Sequence, residues 1–279
     1  MLFGCPISRE VADACLIAKV DGFVCSINQV GPSAYTGFTH ESWARFLHER
    51  NNPDVYVERD HLGKGGEDWR WWIDEDVKHG FTCVHLHYFN VETAKDPVEY
   101  AWDKGLRIQL GPGEDSSKAI SPDLWRLPCD WISFPTGCLI ANGTNIGRID
   151  ETRIEWERQQ WKKPIRGHNC DYLKPHLMRR IGRLVEGVNV APQFGVIQSC
   201  YYLMTARSRG YDIQSWLDAC EADEKNHIRW GAGPEMVGHY HFRHIEWRED
   251  VYNECVATLA HEIALMKQLV GGSHETYNF

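Results

Sequence analysis

Val55-Tyr56-Val57-Glu58 leads directly into Arg59-Asp60-His61-Leu62-Gly63. The first four residues carry a β pattern, and Gly63-Lys64-Gly65-Gly66 supplies the loop that ends it. A carboxylate and an imidazole side by side where a strand runs into a loop can provide a metal ligand and a proton-transfer group together. Asp60 and His61 are therefore the first candidates for chemistry.

The same unit, a short apolar run followed by an amphipathic stretch, recurs on both sides of this segment. Strands are expected at about 1–5, 22–28, 54–59, 81–88, 106–110, 130–135, 164–168 and 187–191. Helices are expected at about 8–20, 39–50, 67–79, 92–104, 121–127, 150–162 and 174–185, with a last set after 193. Thr39 with Ser42, Asp150 before Glu151, and Lys174-Pro175 are helix-start signals at the expected boundaries. Alternating strands and helices imply a parallel sheet, and eight such pairs make a (β/α)8 barrel. An open doubly wound sheet would need fewer strands or a GxGxxG turn after the first, and the sequence has no such turn. Leu110-Gly111-Pro112-Gly113 and Ala141-Asn142-Gly143 read as loops after strands five and six. With no linker or repeat, residues 1–279 read as one barrel domain, and about 200–279 as a helical extension of the eighth helix.

Composition narrows the function. A net charge of -9 without a basic tract argues against a nucleic-acid surface. No run approaches the roughly 20 apolar residues of a membrane span, and the first residues lack a signal-peptide pattern, so a cytoplasmic protein is expected. The 10 cysteines form no CxxC pair and no dense framework, so they read as reduced thiols, several inside strands as small buried hydrophobes. Trp69, Trp71 and Trp72 read as packing surface between helices.

A barrel places its site at the C-terminal ends of its strands, so polar residues there converge despite their separation in sequence. Strand two ends in Asn28-Gln29, strand three in Asp60-His61, and strand four in His85-Leu86-His87. Strand five ends in Gln109 and Glu114-Asp115, strand seven in His168-Asn169-Cys170-Asp171, and strand eight in Asn189 and Gln193. His85 and His87, two apart on a strand, share a face that can point into the mouth. His61, Glu114 and His168 form a His/Glu/His set that leaves a coordination position open for substrate or water. Asn28, Gln29, His87, Asn189 and Gln193 are the expected substrate-binding residues, and Asp171 is a second catalytic candidate. Arg166 and Lys174 read as surface charges that could hold an anionic group. His239-Tyr240-His241-Phe242 with His244 lacks metal spacing and reads as an aromatic surface or lid.

These segments, in order, resemble a known family: the accessory, so-called non-catalytic subunit of class II D-tagatose-bisphosphate aldolases, historically also labelled tagatose 6-phosphate kinases. Ile27-Asn28-Gln29-Val30 with Tyr35-Thr36-Gly37-Phe38-Thr39 resembles its NQV and GYTGMTP segments, and Arg59-Asp60-His61-Leu62-Gly63 its GDHLGP. Gly80-Phe81-Thr82-Cys83-Val84-His85-Leu86-His87 is similar to GFTKIHLD, Gly167-His168-Asn169-Cys170-Asp171-Tyr172 to EAHSTDYQ, and Gly187-Val188-Asn189-Val190-Ala191-Pro192 to the strand-eight KVGP. The resemblance implies a metal-dependent lyase that acts on a sugar or sugar phosphate through an enediolate. It implies a divalent metal, zinc first, on His61 and His168, with Glu114 as a further oxygen ligand and Asp60 moving the proton. Epimerisation by the same enediolate and a non-catalytic role stabilising a separate aldolase subunit are the alternatives, and a homo-oligomer fits either. His87 stands where the family has an acid, Gly111-Pro112-Gly113-Glu114 where it has GTE, and Asn189 where it has lysine. The phosphate-holding Gly-rich and Asn-Asp-Thr loops of catalytic class II aldolases are missing, which sets bisphosphate recognition apart from the rest of the expectation. No P-loop supports the kinase label.

Overall fold

The computed structural model describes residues 1–50, 52, 55–113, 118–134, 140–141, 144–145, 149–168, 170, 175–190, 207, 210, 214 and 249–271. The apolar runs form strands β1 (Leu2–Gly4), β2 (Gly22–Ser26), β3 (Tyr56–Leu62), β4 (Cys83–Leu86), β5 (Arg107–Leu110) and β6 (Trp131–Ile132). A short pair follows, β7 (Ile140–Ala141) and β8 (Thr144–Asn145), and then β9 (Arg166–Gly167) and β10 (Gly187–Val190). Helices α1 (Arg9–Ile17), α2 (His40–Glu49), α3 (Trp69–Lys78), α4 (Val91–Asp103), α5 (Glu151–Trp161), α6 (Pro175–Leu184) and α7 (Glu249–Gly271) lie between and after them.

All strands except β7 and β8 join one 8-stranded sheet in the order β6-β5-β4-β3-β2-β1-β10-β9. Every pairing in it is parallel. The two outer strands meet through a parallel bridge between Ile132 and Ile165, where the Ile132 N–H donates to the Pro164 carbonyl at 2.9 Å. This seam closes the sheet, so the fold is the (β/α)8 barrel expected from the alternation. The helices bury their apolar stripes against its outer face. The Thr39 and Ser42 capping box starts α2, Asp150 accepts from the Arg153 N–H to start α5, and Pro175 opens α6. The last helix, α7, packs on α1 and α6.

One local expectation is corrected. Residues 121–127 do not make an α-helix but a single 3₁₀ turn, Pro122–Arg126. Pro128 follows at once and biases Leu127 to the extended backbone it adopts (φ -64°, ψ 151°), so the turn cannot be prolonged. The expected loop at Ala141-Asn142-Gly143 is flanked by the antiparallel pair β7 and β8. Asn-Gly between two short segments was the hairpin signal.

Fully buried Trp43 is the centre of an aromatic cluster behind β2, with Phe23, Phe38 and Phe46 at 5.0–5.4 Å between centroids. Trp69 packs edge-on against Tyr100 of α4, as expected of a tryptophan between helices, whereas Trp71 is 41% exposed. Among the described cysteines, burial raises the thiols of Cys15 and Cys25 and pushes Cys83 up to about 12, which makes them packing residues and not nucleophiles.

Gly111 follows β5 with φ +127°, and a Cβ there would lie 1.9 Å from the Ser133 carbonyl oxygen and 2.4 Å from the Trp125 ring. Gly111→Ala should therefore lower stability by about 2–4 kcal/mol, combining backbone strain with overpacking. Urea unfolding measures this; an unchanged midpoint would mean that the turn is not as tight as its geometry.

Candidate functional site

Side chains alternate across a strand, so adjacent residues normally face opposite sides. On β3 this sends Glu58 and Asp60 into the barrel and Arg59 outward. Arg59 is fully buried behind the strand: it grips Asp76 of α3 through Nε and Nη2, donates to the Cys25 and Val30 carbonyls, and lies between the rings of Trp72 and Phe81. Its contacts tie β3, the segment after β2 and α3 together directly beneath the candidate site. Alternation alone would then turn His61 away from the mouth. Instead the register with β4 shifts between Arg59 and Leu62, and His61 takes a left-handed backbone, φ 56°. This bulge aims two consecutive side chains, a carboxylate and an imidazole, at one place. Positive φ at a non-glycine residue costs roughly 1–3 kcal/mol and collects at functional sites.

The mouth then assembles from four strands. Asp60 Oδ1 is 2.9 Å from His85 Nδ1, and Asp60 Oδ2 is 3.4 Å from His61 Nε2. His85 Nε2 meets the Gly111 carbonyl at 2.8 Å. A carbonyl offers only lone pairs, so Nε2 donates to it, and Nδ1 is the nitrogen that faces the carboxylate. His61 Nδ1 is 3.0 Å from His87 Nδ1, and the His61 ring centroid lies 5.3 Å from that of His168. Asp60, His61, His85 and His168 can offer ligand atoms that all lie within 4.8 Å of one another.

Beneath the cluster runs a polar column. His168 Nε2 is 2.6 Å from Gln109 Nε2 and 3.3 Å from Asn189 Nδ2. Asn189 Oδ1 accepts from Arg166 at 2.6 Å, and Arg166 in turn donates to Glu58 and covers the Phe3 ring at 3.7 Å. Arg166 is therefore not the surface charge the sequence suggested. It is fully buried and engaged by Glu58 across the barrel, so it is not offered to a substrate anion. The guanidinium and carboxylate pair in a low-dielectric lumen that neither would enter alone, although Glu58 Oε1 and Arg166 Nε have no hydrogen-bond partner among the described residues and burial still raises the Glu58 carboxyl.

Burial by itself would raise the Asp60 carboxyl, but His61, His85 and His168 outweigh it and hold the group below the ordinary carboxylate range. His168 is shifted well down, first by burial and then by neighbouring His85, so it stays a neutral imidazole, the form that binds metals. Three imidazoles and one carboxylate are a donor set suited to a divalent ion such as zinc.

The structure thus brings Asp60, His61, His87, His168 and Asn189 together. Gln29 is buried with Oε1 accepting from the Ser26 N–H, and Asn28 is exposed just beyond β2. Glu114, Asp171, Lys174, Gln193 and the 239–244 cluster lie outside the described residues. Sequence reasoning placed His85 at the mouth without giving it a role, and passed over the Glu58–Arg166 pair. The signal for both was the two-residue period: His85 shares a face with His87, and Arg166 with His168.

The sequence matches no protein-family model and no curated protein. Solved structures share the fold. A "probable tagatose 6 phosphate kinase" from Sinorhizobium meliloti 1021 has 16% identity and a TM-score of 0.56, over 98% of this chain and 92% of its own. The YdjI aldolase from Escherichia coli K12 has 14% identity and a TM-score of 0.60, over 99% and 92%. The fructuronate-tagaturonate epimerase UxaE from Cohnella laeviribosi has 10% identity and a TM-score of 0.60, over 97% and 81%. No helix among the described residues is long and apolar enough to cross a membrane.

Proposed function

We propose that this chain is a metal-dependent lyase of the class II aldolase type, acting on a sugar or sugar phosphate by reversible carbon–carbon cleavage through an enediolate. The observation that carries the reading is the convergence of Asp60, His61, His85 and His168 at the mouth of a closed barrel. The fold shared with the YdjI aldolase supports it.

His61, His85 and His168 would hold the ion, with zinc as first choice and Glu114 as a further oxygen ligand. When bound, a divalent ion supplies Lewis-acid polarisation of a carbonyl and offsets charge developing on its oxygen. Asp60, kept ionised by its imidazole neighbours, takes a proton from the substrate and returns it. His85 would bind as the neutral imidazole through Nδ1, the nitrogen not engaged by the Gly111 carbonyl. His87 orients His61 through their 3.0 Å contact and faces the substrate. Asn189 completes the wall beside His168, while Asn28, Gln29, Gln193 and Asp171 are the outer substrate contacts. The setting is the cytoplasm, where thiols remain reduced.

Epimerisation is the second reading, favoured by the fold shared with the epimerase UxaE. It uses the same residues to return the proton to another face without bond cleavage. The contrasting role, a non-catalytic partner of a tagatose-bisphosphate aldolase, is the one the family resemblance carries.

Metal analysis of the purified chain, with turnover assayed on ketohexoses and their phosphates, separates these. One divalent ion per chain and turnover that disappears with a chelator and returns with the ion are expected. A metal-free, inactive protein that co-purifies with an aldolase would remove the enzyme reading.

A further inference from the structure

At the end of the barrel opposite the histidine cluster, a cavity of about 400 Å³ opens where α5 and α6 finish. Its lining includes Arg158, Lys162, Lys163 and Arg183 over an apolar floor that contains Ile165, and Glu186 is its one carboxylate. The volume lies within the range of small-molecule sites.

The concentration of positive charge runs against the net charge of the chain, which is -9. It also departs from the habit of the same two helices. Arg153 pairs with Glu157, and Arg180 pairs with Glu151, in each case leaving the guanidinium a carboxylate partner. Among the described residues, no carboxylate stands within ion-pair distance of Arg158, Lys162 or Arg183. Lys163 donates to the Leu127 carbonyl at 2.9 Å and to Cys129 Sγ at 3.1 Å, neither of them an anionic oxygen. Lys162 holds a left-handed backbone, φ 51°, which turns the chain from α5 into the strand and sets two consecutive lysines at the rim. Cations near helix C-termini favour the helix dipole one at a time. Here the cations at two helix ends line one hollow together with Pro164, Ile165, Leu184 and Val185, whose apolar surface strengthens their joint field.

We infer that this cavity binds a small phosphorylated ligand, held by Arg158, Lys162, Lys163 and Arg183, which all line it. Two guanidinium forks and two ammonium groups match the several oxygens of a phosphate ester or diphosphate. The site is distinct from the catalytic mouth: Ile165 immediately precedes β9, and His168 immediately follows it, so the two sites occupy opposite ends of one strand. The inference stands whether or not the proposed lyase activity does.

Calorimetric titration of the full chain with inorganic pyrophosphate tests it, in the unaltered protein, in His61→Ala, and in the double variant Arg158→Gln/Arg183→Gln. Binding with a dissociation constant below about 1 mM at moderate salt is expected in the first two. The double variant should bind at least about tenfold more weakly, because two charge-assisted contacts are removed from an exposed rim that does not affect folding. Retention in His61→Ala places the anion away from the mouth. No binding, binding lost in His61→Ala, or equal binding in the double variant would each overturn the inference.

Discussion

Asp60→Asn turns over substrate about 10²–10⁴-fold more slowly than the unaltered protein, the usual share of general acid–base catalysis. The amide keeps the shape of the carboxylate and can still face His85 through its carbonyl oxygen. What it loses is the ionised group that three imidazoles hold below the ordinary carboxylate range. Metal content should be unchanged, because His61, His85 and His168 remain. Measured together, turnover and bound metal separate two roles that the geometry brings close: a drop in rate with metal retained marks proton transfer, and a drop in both marks Asp60 as a ligand. A wild-type rate in Asp60→Asn would show that another group carries the proton, with His87 and Asp171 next to be replaced.

His61→Ala is the larger loss, since metal and activity should disappear together. Removing even an outer partner of a metal ligand typically costs 10–100-fold in affinity, so removing a ligand should weaken binding more than about 100-fold. His61 also sits at φ 56°, where alanine adds strain that asparagine tolerates better. His61→Asn is therefore the companion variant: it removes the imidazole with less penalty to the bulge. Equal metal loss in both assigns the effect to the ring. Metal retained at the wild-type level in His61→Asn would refute the ligand role and leave only a backbone effect.

Elements set by nearest neighbours in sequence were legible without the structure. Alternating apolar runs located all eight barrel strands, and Thr39, Asp150 and Pro175 marked real helix starts, because caps and side-chain periods act over three or four residues. The pairing of His85 with His87 on one face follows from the period of a strand alone. The residues of the mouth could be named once a barrel was assumed, since that topology gathers every strand end.

Tertiary structure alone decided the rest. Nothing local to Arg59-Asp60-His61 foretells that the register slips against β4, yet that slip is what turns His61 inward beside Asp60. Arg166 resembles any exposed arginine until Glu58, 108 residues away, meets it across the lumen. A buried charge needs a partner, and a partner found through the barrel leaves no trace in the neighbouring sequence. Among the described residues the closure rests on the bridge between Ile132 and Ile165. Strand periodicity determined which side chains face inward; the ring that this bridge completes decided which of them meet.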